Sequence, residues 1–163
     1  MSQPDFDSRI SRLRETFTES GLDGVIINSI KDIYYYTGKT INRMDPGFFV
    51  VTKKTSKLFV SMLDNKLENN GATIFKSLVD VKNEIKKVKR VGFDEKNMSV
   101  LLFRKLGSSS WKPFSRQLKS IRMVKDRHEI SSIKRACRIT LDIFESIELN
   151  GKTEVEVSAD IHN

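Results

Sequence analysis

The run Val25-Ile26-Ile27 sets the first constraint on the fold. A continuous apolar, β-branched stretch reads as a short strand that needs cover on both faces. The cover is nearby. Phe6, Ile10, Leu13 and Phe17 recur at helical steps and stop at Ser20-Gly21, and residues 30–36 predict a short helix ended by Thr37-Gly38. Residues 48–51 and 58–60 read as two strands of a hairpin around a turn at 53–56. Beyond it the spacing predicts a helix over 63–70, a strand over 73–78 and a helix over 79–89. A strand over 90–93, a helix from Met98 to Leu106 closed by Gly107, and an edge strand over 111–114 follow. Pro113 suits an edge, where a missing N–H costs no ladder bond. Strands alternating with helices, plus one hairpin, give the α/β class: a mixed, mostly parallel sheet with helices on both faces.

The chain of 163 residues is 38% hydrophobic with ten Phe, enough for a packed core and against disorder. Its single cysteine, Cys137, excludes an intrachain disulfide and fits a reducing compartment. On the apolar stripe of a helix it is expected to be a small buried hydrophobe rather than a nucleophile. The first residues lack the apolar run of a signal peptide, and no stretch approaches the ~18 apolar residues of a membrane span. A cytoplasmic location without membrane contact is expected.

The net charge of +8 raises the question of nucleic acid. Residues 112–138 hold nine Lys/Arg against two acids, whereas residues 139–163 hold one Lys against six acids. The basic block offers only Trp111 and Phe114 as aromatic neighbours, far from a ladder of stacking platforms. A solvated basic surface is the simpler reading, and nucleic acid is not expected as a partner.

The last third of the chain begins one helix, ends it and begins another. Ile130, Ile133, Cys137, Leu141, Phe144 and Ile147 stripe one face of a helix predicted over 127–149. Asp126 with Glu129 forms a capping-box pattern, and Asn150-Gly151 supplies a left-handed stop. Thr153 with Glu156 opens a second helix that is cut within a few turns, so the chain is expected to be the front part of a longer protein. The stripe around Leu141, Phe144 and Ile147 is expected to lack its natural cover here.

Arg122, Lys125, Asp126, Glu129, Ile130, Lys134 and Ala136 together resemble the linker between the two domains of prolidase and aminopeptidase P relatives. The run Gly-Lys-Thr-Glu-Val-Glu at 151–156 resembles the entry to their catalytic "pita-bread" domain. The run Ile-Tyr-Tyr-Tyr-Thr-Gly at 33–38 resembles a segment of their creatinase/prolidase-like N-terminal domain. The resemblance implies such a domain over 1–122, then a linker helix and the start of a catalytic domain over 123–163. It implies a parent that is a metallopeptidase acting on Xaa-Pro bonds with two divalent ions (Mn, Co or Zn) held by two Asp, one His and two Glu. This chain supplies no such set: His128 has no partner at helical spacing, His162 is penultimate, and no zinc-peptidase, phosphate-loop or serine-hydrolase motif occurs. The chain itself is expected to be catalytically silent and without cofactor.

The implied partners are its own C-terminal catalytic domain, a second copy in a homodimer and, through the parent, a peptide substrate. The resemblance places a loop near that substrate, here Lys39, Asn42, Arg43, Met44 and Asp45, in which a guanidinium could grip a peptide carboxylate. The competing reading of the same loop is a solvated turn. Tyr34, Tyr35 and Tyr36 are expected to serve core packing, though three in a row on a helix cannot all point inward. Two other functions remain open from the residues: a binding module for histones, another acidic partner or nucleic acid on a peptidase-like scaffold, and a creatinase-type hydrolase.

Overall fold

A computed structural model describes residues 5–42, 45–107, 110–146 and 151–162. They divide into two compact units, Asp5–Val124 and Lys125–Asn163.

The first unit contains a six-stranded sheet: β1 (Gly24–Ile27), β2 (Phe48–Thr52), β3 (Ser56–Val60), β4 (Thr73–Ile74), β5 (Val91–Phe93) and β6 (Lys112–Pro113). Their order is β4-β3-β2-β1-β5-β6. Only β2 runs against its neighbours; the β3–β4, β1–β5 and β5–β6 pairs are parallel. The mixed, mostly parallel sheet read from the sequence is therefore the observed one. Helices α1 (Phe6–Glu19), α2 (Ile30–Thr37), α3 (Leu78–Ile85), α4 (Val100–Leu106) and α5 (Ser115–Met123) cover it.

The strand period of two explains the continuous apolar runs. Val25, Ile27, Phe49, Val51, Leu58 and Val60 face one core with Leu13 and Phe17 of α1, Tyr36 of α2 and Leu118 of α5. Ile26, Phe48, Val50 and Phe59 face the other core with Val81 and Ile85 of α3, Leu106 of α4 and Trp111. A run buried on both sides must be apolar at every position, and β1 is.

Local chemistry shifts several predicted bounds. The strand expected over 73–78 is only two residues long, because Ser77 and Asp80 form a capping box that starts α3 at Leu78. The Asp80 carboxylate accepts from the N–H groups of Lys76 and Ser77 at 2.9 and 3.2 Å. The helix expected to reach residue 89 ends at Ile85, with Val88 in a tighter turn whose N–H donates to Ile85 O. Residues 63–70 adopt a 3₁₀ segment, Met62–Asn70, kinked at Asp64. Met98 precedes α4, which Ser99 caps, and Gly107 closes that helix in an extended conformation, not a left-handed one. Helix α5 was not read from the sequence at all. Its first N–H groups, those of Phe114 and Ser115, donate to the Glu95 carboxylate at 3.0 and 2.9 Å. Burial alone would raise the pKa of Glu95, but these bonds and that from the Ser115 hydroxyl outweigh it and hold it below the usual range.

The second unit holds α6 (Arg127–Ser146) and α7 (Glu154–His162). Both capping boxes expected from the sequence form. The Asp126 N–H donates to Glu129 Oε2 at 3.1 Å and the Glu129 N–H to Asp126 Oδ1 at 2.8 Å. The Thr153 N–H donates to Glu156 Oε2 at 2.8 Å. Gly151 is left-handed at φ 79°; the expected helix end over 147–150 lies outside the described residues. Along α6 no residue is buried, and Leu141 and Phe144 are 60% and 65% exposed. Their predicted lack of cover is observed; Ile147 lies outside the described residues. The expectation of a buried Cys137 is corrected: the thiol is exposed, since its unit supplies no second apolar layer over that face.

Candidate functional site

The candidate loop begins where α2 stops. Gly38, at φ 68°, turns the chain out of the helix, and a Cβ there would stand 2.5 Å from the Phe6 ring. A side chain is excluded both by the left-handed backbone and by that ring. Ile41 turns inward and is buried, in space that a side chain at Gly47 would take. The loop is thus pinned at an apolar point in its middle, which a wholly polar sequence would not suggest.

Its polar residues are held by the 3₁₀ segment. The Asn42 N–H donates to Asp64 Oδ2 at 2.9 Å, and Asp64 is buried. Lys39 Nζ donates to the carbonyl of Asn70, and partial burial lowers the lysine's pKa. Lys39 and Asn42 therefore attach to opposite ends of one segment instead of converging on one point. Asp45 is half-buried. Arg43 and Met44, the guanidinium candidate among them, lie outside the described residues. The sequence reading found the loop but not its clamp, Asp64, which lies 22 residues further on.

Replacing Asp64 by alanine is expected to cost about 1–2 kcal/mol and to speed amide exchange at Asn42 at least about ten-fold, because a partly buried N–H loses this acceptor. Asp64→Asn keeps an acceptor oxygen and should restore most of the protection. Unchanged exchange at Asn42 in Asp64→Ala would show that the clamp holds nothing.

A second polar feature lies at the start of α2. Asp32 Oδ1 and Arg122 Nε stand 2.8 Å apart, an ion pair joining α2 to the last turn of α5. Asp32 is 3% exposed, and burial raises its pKa although the Ser29 hydroxyl and Arg122 pull the other way. The resemblance places Arg122 in a linker; here its side chain serves the domain. Of the three tyrosines, Tyr35 and Tyr36 are buried and Tyr34 is exposed, as helical geometry requires.

No group of three or more His, Cys, Asp or Glu among the described residues could hold a metal ion. The implied pair of divalent ions therefore does not fit these residues. No helix among them is long and apolar enough to cross a membrane. The loop can offer hydrogen bonds and charge to a ligand, but no nucleophile paired with a base stands beside it among the described residues.

Known proteins resemble this chain over part of their own length. The Xaa-Pro dipeptidase of Pyrococcus horikoshii is 22% identical over 165 aligned positions, covering 95% of this chain and 46% of that protein. The solved Xaa-Pro dipeptidase from Bacillus anthracis superposes with a TM-score of 0.79 at 22% identity, over 96% of this chain and 48% of that one. The N-terminal domain of the cytoplasmic peptidase PepQ from Mycobacterium tuberculosis H37Rv, solved by itself, matches with a TM-score of 0.60 at 16% identity, over 70% of this chain and 98% of its own. The chain thus spans about half the length of the curated relatives it matches. Residues 9–124, nearly the whole of the first unit, match the Creatinase/Prolidase N-terminal domain, and the chain belongs to that family.

Proposed function

We propose that this chain is the non-catalytic N-terminal portion of a metal-dependent Xaa-Pro dipeptidase or aminopeptidase. On this reading residues 1–122 form the N-terminal domain, and residues 123–163 the linker helix and the start of the catalytic domain. The observation that carries it is the pairing of a family match over 9–124 with relatives about twice as long that are named for Xaa-Pro hydrolysis. The apolar face of α6, uncovered at Leu141 and Phe144, would then pack against the other half of such a protein. The domain would act by pairing with a second copy in a homodimer and by shaping access to the active site. Lys39, Asn42, Arg43 and Asp45 would stand near the substrate, and the reducing cytoplasm would be its compartment.

The test is hydrolysis of Xaa-Pro dipeptides and longer Xaa-Pro peptides by the natural full-length product, with Mn²⁺, Co²⁺ or Zn²⁺ supplied. Residues 1–163 alone should show no turnover. In the full-length product Lys39→Ala and Asp45→Ala should raise KM or shift the preferred peptide length while leaving kcat within about three-fold, because a lost positioning contact acts on binding before chemistry. A full-length product that binds none of these metals and cleaves no such peptide would sink the proposal.

A further inference from the structure

At the end of the sheet where β1 begins, the β2–β3 turn, the start of β1 and the end of α3 enclose an open cleft of about 510 Å³. Its walls carry five lysines, Lys53, Lys54, Lys57, Lys87 and Lys89, against two carboxylates, Asp23 and Glu84, a net charge of +3. Both carboxylates are already engaged by cations. Asp23 takes Arg90 through both oxygens at 3.1 Å and Lys53 at 3.0 Å. Glu84 Oε2 takes Lys57 and Lys87, each at 2.9 Å. Hydrogen bonds from Arg90 and then Lys53 hold Asp23 well below the usual carboxylate range. Burial would raise Glu84, but Lys87 and Lys57 outweigh it and leave it lowered. Each acid thus stays charged and serves two cations, so each cluster keeps a positive surplus. Lys54 and Lys89 enter no ion pair among the described residues. The C-terminal end of α3 contributes to this lining, and a helix C-terminus favours cations beside it.

We propose that this cleft docks an acidic polypeptide segment of another protein, with Lys54 and Lys89 as the open cationic contacts. Charge complementarity selects the chemistry. Nucleic acid fits less well. Among the described residues no aromatic side chain lines the cleft for a base to stack on, and the guanidiniums beside it are engaged, Arg90 with Asp23 and Arg14 with the Thr52 carbonyl. Asp23 and Glu84 would also oppose a continuous phosphate backbone, whereas glutamates on flexible stems can reach Lys54 and Lys89 separately.

The experiment is fluorescence anisotropy of a labelled octaglutamate peptide with the whole chain, at low and at physiological salt. Low-salt binding that weakens with salt is expected. Lys54→Glu with Lys89→Glu should weaken it about ten-fold or more, and the charge-matched pair Lys112→Glu with Lys119→Glu, outside the cleft, about two-fold or less. All four are exposed positions, and circular dichroism checks that each variant folds. Four results would overturn the proposal: no binding at low salt; equal losses in the two double variants; a DNA duplex binding more tightly through the same lysines; or a salt-labile dimer in which residues 139–163 of a second copy fill the cleft.

Discussion

Arg122→Ala is expected to destabilise the Asp5–Val124 unit by about 3 kcal/mol, because it leaves the Asp32 carboxylate buried and unpaired. The loss should depend on pH in a defined direction. Burial already raises the pKa of Asp32 in the folded chain above its unfolded value of about 3.9. A carboxyl raised in this way contributes stability that is fully present below the unfolded pKa and is lost as pH rises through the folded one. Removing Arg122 raises it further, so the penalty is greatest near neutrality and shrinks as pH falls toward about 4. Urea unfolding of both proteins at neutral and acid pH checks this. A second variant, Arg122→Ala with Asp32→Asn, removes the buried charge and should recover part of the loss at neutral pH. A penalty that stays constant down to acid pH would show that the arginine acts through its aliphatic packing instead. The pair fastens the domain's last helix to the start of α2, two residues before Tyr34 and six before Gly38, where the candidate loop begins.

How much of this was legible follows from the range of each interaction. The alternation of apolar runs with helical spacing identified the layered sheet, because burial on both faces leaves its mark on every residue of a strand such as β1. The capping boxes at 126–129 and 153–156 were legible because both partners lie within one helical turn. That at 77–80 has the same spacing, but the apolar residues around it also read as a longer strand. Helix α5 was hidden for a different reason. Its N-terminus carries no local cap, and its acceptor, Glu95, comes from 19 and 20 residues upstream. The same holds for the loop, which glycines and polar residues announce, while its fastening by Asp64 and Asn70 depends on how the chain returns. Cys137 shows the limit in the other direction: a correct apolar stripe says that a face wants cover, not that the residues at hand provide it.

Tyr36 separates the two contributions of a buried aromatic. Its ring is fully buried, edge-on to Tyr35 at 4.9 Å and stacked on Phe49 at 6.3 Å between centroids. Tyr36→Ala should therefore cost about 4 kcal/mol through lost contact and the cavity left behind. The hydroxyl tells the opposite story: it is buried and has no hydrogen-bond partner among the described residues. Tyr36→Phe removes an unpaid desolvation and should be neutral or stabilise by about 1 kcal/mol. Burial, and then the nearby Asp32 carboxylate, keep the phenol protonated well above the ordinary tyrosine range. Its contribution is fully present below the unfolded pKa of about 10 and is lost as pH rises beyond it, since only the unfolded chain then ionises. The phenylalanine variant lacks that drain, so its advantage should grow between pH 8 and about 11 in urea melts. A Tyr36→Phe protein less stable than the parent by more than about 1 kcal/mol would mean that the hydroxyl is satisfied after all. An advantage that does not grow with pH would instead place the alkaline loss on other groups, and the helix leading into the candidate loop would owe its order to the ring alone.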